Sequence, residues 1–199
     1  DVIARIGMQG TTYEGFLKAP SKASISDNDI NDVTKGNILS VTFDCFQYHV
    51  RLNLDKIAFV KIDVEGFEIA ALKGTKHTLF PPHNSTISKS NKNIGSLLME
   101  VGPSRWSRAN IKLDDGIQEM TDLGTKYFQN AYVILRTKGN YKKSCPDWLA
   151  KKVKLSDQNP RKLDGIHMHK IRPNEWKPLL VGMHSAGSDC NFWFTNNPN

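Results

Sequence analysis

Short apolar runs along this chain alternate with segments whose apolar residues recur on a helical period, so strands and helices are expected in turn. The first run, Val2-Ile3-Ala4-Arg5-Ile6, reads as an edge strand, and the Gly-, Ser- and Asp-rich stretch after it, through Gly36, as loop. Ile38 to Phe43 reads as a strand, because Val41, Thr42 and Phe43 favour extended backbone. Asp44 then suits a helix N-cap, since its carboxylate can accept an orphan backbone N–H. Phe46 and Val50, four apart, would face the core together.

The most informative run is Ile57 to Ile62, apolar except at Lys61, which predicts a strand covered on both faces as in a parallel sheet. It stops at Asp63, and Glu65, Gly66 and Glu68 follow at once, with Gly66 allowing a tight exit. Phe67 to Phe80 then repeats on a helical period through Ile69, Leu72 and Leu79 until Pro81-Pro82 forbids continuation. Glu65 and Glu68 fall near the positive end of that helix, where negative charge is favourable by roughly 0.3–1 kcal/mol. His83 to Gly95 is a solvated loop by composition. Ser96 to Val101 is a further strand, again ending in a carboxylate, Glu100, before Gly102-Pro103. Leu113 to Tyr127 reads as a helix with Ile117, Met120, Leu123 and Gly124 on one side; Ala131 to Arg136 and Asn191 to Thr195 complete the strands. Alternating strands and helices, then a last strand reached through a long excursion, predict an α/β fold with a mostly parallel sheet. In such sheets ligands sit outside the carboxyl ends of the strands, so Asp63 and Glu100 are the first candidates for chemistry.

The 199 residues suit one domain with a large insertion, and no apolar run approaches the roughly 20 residues of a membrane span. The net charge of +7 is local. Lys138 to Pro178 holds eleven Lys or Arg against four Asp or Glu, leaving sixteen of each elsewhere. Cys45, Cys145 and Cys190 are odd in number and far apart, so neither a zinc ribbon nor a disulfide scaffold is expected, and each reads as a buried or idle thiol. His167, His169, His184 and Cys190 can be drawn as a zinc site only without the usual spacing. The sequon Asn84-Ser85-Thr86 lies in a polar loop and does not by itself fix a compartment.

The stretch Lys61-Ile62-Asp63-Val64-Glu65-Gly66-Phe67-Glu68, the later Leu72-Lys73-Gly74, and the strand ending Leu98-Met99-Glu100-Val101 resemble the FkbM family of S-adenosylmethionine-dependent methyltransferases. Val41-Thr42-Phe43-Asp44 resembles a further element of that family, with Phe43 in place of leucine. The resemblance is specific over residues 41 to 101, looser through 113 to 136, and absent from 138 to 190. It implies a Rossmann-like methyltransferase sheet in which the Asp63 and Glu100 strands are neighbours, and Ala131–Arg136 and Asn191–Thr195 form a closing antiparallel pair. Family members carry a glycine-rich turn after their first strand for the cofactor's methionine end. No Gly-x-Gly follows a strand here. The N-terminal half of the sheet is therefore expected to be missing, residues 1–199 form a partial domain with a basic insertion at 138–190, and the cofactor-binding residues are unassigned.

The resemblance implies transfer of a methyl group from S-adenosylmethionine to a hydroxyl of a sugar, lipid or small metabolite. Such a displacement needs the acceptor aligned and its proton removed. Asp63 and Glu100 are the catalytic candidates, able to act as general base, to share a proton, or to hold one divalent metal ion with oxygen ligands. Lys61, Glu65 and Glu68 are candidates for positioning or substrate contact, with helix capping the simpler role for the two glutamates. Against the enzymatic reading stands a polyanion- or nucleic-acid-binding module, in which the basic 138–178 segment with Tyr141, Trp148 and Trp176 would touch phosphates and stack on bases. A lysine-rich excursion is more simply a solvated surface, and a catalytically inactive relative is the remaining alternative.

Overall fold

The structure, a computed structural model, describes residues 42–50, 57–79, 94–136, 145, 148–157, 160–163 and 165–196. The expected strand at Val2–Ile6, the segment Ile38–Val41, the glycines of the first 36 residues, the sequon and the start of the basic segment lie outside them.

Helix α1 (Phe43–Val50) opens the described chain, so Phe43 belongs to a helix and not to a strand. Thr42 caps it: its Oγ1 accepts from the Cys45 N–H at 3.1 Å and its carbonyl from the Phe46 N–H at 2.9 Å. Asp44, expected at the cap, sits in the first turn and reaches elsewhere. Strand β1 (Phe59–Ile62) is followed by α2 (Glu68–Lys73) and α3 (Lys76–Leu79), two short helices where periodicity predicted one. Asp44 causes the break. Its N–H donates to the Gly74 carbonyl at 3.0 Å, and its Oδ1 accepts from the Thr78 N–H at 2.9 Å. These are the two groups that a continuous helix would pair with each other.

Strand β2 (Ser96–Val101) leads into a 3₁₀ helix (Pro103–Ala109), then α4 (Leu113–Asp122), which ends in one π turn (Leu123–Tyr127) before β3 (Asn130–Arg136). The excursion that follows is not a solvated arm. It contributes α5 (Trp148–Lys152), the hairpin β4 (Arg161–Leu163) and β5 (Ile166–Lys170), and α6 (Trp176–Ala186), before β6 (Cys190–Thr195) closes the sheet. Leu149, Leu155, Ile171, Trp176, Leu179, Leu180 and Met183 from this segment are buried in the core. Trp176 stacks on Phe192 and Phe194 at ring-centre distances of 5.7 and 5.9 Å. Glu175 ties the segment down by accepting from the N–H groups of Ser156 (2.5 Å) and Arg172 (2.7 Å). Burial alone would raise its pKa, but those two donors hold it below the ordinary value.

Among the described residues the sheet has six strands, in the order β1-β2-β6-β3-β5-β4. Only β1 and β2 are parallel; the other four pairings are antiparallel, which corrects the mostly parallel sheet expected from the strand–helix alternation. The cause is the route of the last third of the chain. β6 returns between β2 and β3, antiparallel to both, and the β4–β5 hairpin extends the far edge. β1 also departs from its expected burial. Val60 and Ile62 are buried, while Lys61 is exposed and Phe59 is 53% exposed, so an apolar run has produced an alternating strand. Among the described residues no helix is long and apolar enough to cross a membrane.

Candidate carboxylate site at the ends of β1 and β2

The parallel register of β1 and β2 brings two sequence-distant acids together. Ile62 lies opposite Met99, so the next step of each chain sets Asp63 beside Glu100. After Asp63 the chain turns sharply: Glu65 takes a left-handed backbone (φ 54°) and Gly66 follows at φ 102°. That turn folds the Glu65 side chain back, and carboxylate oxygens of Asp63, Glu65 and Glu100 all lie within 4.8 Å of one another.

Each candidate named from the sequence has a definite place. Lys61, exposed on β1, sets its Nζ 3.0 Å from Asp63 Oδ2. Glu68 is fully buried at the start of α2, and its Oε1 accepts from the Gly66 N–H at 2.6 Å, locking the turn. Desolvation raises the Glu68 pKa from 4.5 to about 7, against the pull of that N–H, its own N–H and Arg105. Glu100 is half-buried; burial first, then the neighbouring charges of Asp63, Glu65 and Asp189, raise its proton affinity, with Arg105 opposing.

Arg105 carries no motif that marks it in the sequence. It rises from the 3₁₀ helix after β2 and organises the acids. It pairs with Glu65 through Nη1, while its Nη2 lies 3.1 Å from Asp189 Oδ2 and 4.0 Å from Glu100 Oε1. Arg108 adds a hydrogen bond of 3.3 Å to the Glu65 carbonyl. Two glycines make the room. A Cβ on Gly66 would meet the Arg105 Cβ at 2.7 Å, and one on Gly102 would meet its Nε at 2.7 Å and Asp189. A cation placed just after Gly102-Pro103, facing acids at two strand ends, was the available signal for Arg105. For Asp189 there was none.

Of the described glycines, Gly66 and Gly102 at this site have their Cβ space taken by Arg105 and Asp189. The three clustered carboxylates do match the oxygen donor set that a hard divalent cation takes.

The thiols depart from expectation. Cys145 and Cys190 form a disulfide with a Cα–Cα distance of 4.6 Å, joining the chain before α5 to the first residue of β6. Cys190 is therefore no zinc ligand. Cys45 remains free and exposed. Sequence spacing missed the pair because the two cysteines are 45 positions apart, with α5, the hairpin and α6 between them.

Comparison with known proteins gives one family match. The Methyltransferase FkbM domain spans residues 4–127, more than half of the chain, and takes in β1, the acidic turn, β2 and Arg105. No curated protein and no solved structure matches. The turn and strand end that carry the carboxylates are those of the matched domain, and the chain belongs to the FkbM methyltransferase domain family.

Proposed function

We propose that this chain is an S-adenosylmethionine-dependent O-methyltransferase acting on a hydroxyl of a sugar, lipid or small metabolite. The observation that carries the reading is the convergence of Asp63 and Glu100 at the carboxyl ends of two parallel strands, inside the matched family domain. S-adenosylmethionine supplies an electrophilic methyl group on a sulfonium. Among the described residues, the clustered carboxylates offer chemistry for the acceptor. Glu100, whose proton affinity burial and neighbouring acids raise, is the group suited to take the hydroxyl proton. Asp63, held by Lys61, orients the hydroxyl by accepting its hydrogen bond. Glu65 and Glu68 keep the turn in shape, the first through Arg105 and the second through the Gly66 N–H.

Asp63, Glu65 and Glu100 would also be the residues to hold a divalent ion, which would acidify the acceptor hydroxyl. Lys61 and Arg105 already offset part of the acidic charge, so an ion is not needed for the cluster to form. The test is isothermal titration of the protein with S-adenosylmethionine, with and without Mg²⁺, followed by transfer of labelled methyl to candidate glycans and lipids. Absence of cofactor binding under all conditions removes the enzymatic reading.

A further inference from the structure

Asp189 lies outside residues 4–127, the span of the matched methyltransferase domain, yet its carboxylate enters the site. Its Oδ2 faces Arg105 Nη2 at 3.1 Å, and both side chains are only 19% exposed. Arg105 is thus held from two sides, by Asp189 on the β6 side and by Glu65 on the turn, with its guanidinium filling the space a Cβ on Gly102 would take. Glu100 is left at 4.0 Å from the same Nη2, beyond hydrogen-bond reach. The same Nη2 is thus nearer to Asp189 than to Glu100, and its contact with Asp189 is an ion pair without hydrogen-bond geometry. Asp189 is itself fixed by backbone. Its carbonyl accepts from the Cys145 N–H at 2.9 Å, and the next residue, Cys190, is bonded to Cys145.

We propose that Asp189 is a positioning residue of the carboxylate site: by anchoring Arg105 it sets where Glu65 and Glu100 point, and the Cys145–Cys190 disulfide holds Asp189 in place. The segment after β3 would then complete the site and not merely fill the core. This deepens the proposed function and rests on it only for the chemical use of the site, because the placement can be tested without cofactor or acceptor.

The experiment is nuclear magnetic resonance of the full oxidised chain with labelled Arg, Asp and Glu side chains. It reads rotation of the Arg105 guanidinium and the carboxyl carbons of Glu65 and Glu100. A pH near 9 keeps the carboxylates ionised, so that a shift reports a changed partner and not protonation. Asp189→Asn should speed Arg105 rotation by at least about tenfold, as expected on losing a charge-assisted contact, and move the Glu100 carbon. Asp189→Glu should keep the rotation within about threefold of wild type, a recovery that a merely space-filling role would not give. The Cys145→Ser/Cys190→Ser variant should loosen Arg105 in the same direction. Rotation within about twofold of wild type in Asp189→Asn, with Glu100 unmoved, overturns the proposal. An unchanged Arg105 in the serine variant overturns the role of the disulfide. Should Asp189→Asn not fold, Arg105→Lys takes its place: the carbons of Glu65, Glu100 and Asp189 must all shift, and if they stay the anchorage is refuted.

Discussion

Replacing Glu68 with glutamine gives a quantitative test of the turn that presents the acids. The Glu68 side chain is fully buried; one oxygen accepts from the Gly66 N–H, and the other, Oε2, has no hydrogen-bond partner among the described residues. Desolvation therefore raises its pKa from 4.5 to about 7. A pKa raised on folding means that the native state binds the proton more tightly than the unfolded chain. The resulting stabilisation is fully present below pH 4.5 and is lost as pH rises through about 7. The gap of about 2.5 pH units, at about 1.4 kcal/mol each, sets a ceiling of about 3 kcal/mol. Glutamine is neutral at every pH and keeps the acceptor for Gly66. The perturbation thus removes one proton-linked contribution while retaining the hydrogen bond. Urea unfolding of both proteins at about pH 5 and about pH 8 isolates it, since every other titrating group cancels in the difference. Near pH 5 the two should differ by under about 1 kcal/mol. Near pH 8 the glutamine variant should be the more stable, by up to about 3 kcal/mol or roughly 6–10 °C in Tm. A difference that does not change with pH, or one that favours the wild type as pH rises, refutes the reasoning.

Three further outcomes are expected. Asp63→Asn, at a half-exposed position, should change stability by under about 0.5 kcal/mol while lowering S-adenosylmethionine-dependent methyl transfer by about 100-fold or more, read by labelled-methyl incorporation. Loss of the Cys145–Cys190 bond, which closes a loop of 45 residues, should lower stability by about 2–4 kcal/mol; melting with and without reductant measures it, and thiol labelling of the native oxidised protein should reach Cys45 alone. Gly102→Ala should destabilise by about 1–3 kcal/mol, because the new methyl displaces the ion-paired ends of Arg105 and Asp189; a neutral result in denaturant melts would mean that these side chains move aside at little cost.

Much of the local structure was legible in the residues. The strand Ser96–Val101 and the helix beginning at Leu113 fall where their patterns place them, because each buries a regular face. Asp63 and Glu100 could be grouped in advance, since parallel neighbouring strands set their carboxyl ends side by side, whereas Glu65 joins them only through its left-handed backbone. The helix after the acidic turn was legible in type but not in length. Its break depends on Asp44, some thirty residues earlier, which takes the two backbone groups that would have continued it.

By itself, the sequence determined the strands that end at Ile62 and Val101, the strands near 131–136 and 191–195, the helix starting at Leu113, where two strands end in carboxylates, and which family the acidic turn resembles. These follow from periodicity, turn chemistry and residue spacing, which act over a few neighbours. Tertiary structure alone decided the antiparallel majority of the sheet, the burial of the basic excursion's apolar residues, the Cys145–Cys190 pairing, and the meeting of Arg105 with Asp189. Each of these joins residues tens of positions apart. Their contact depends on the order in which strands are laid into the sheet, and no local pattern of side chains carries that order.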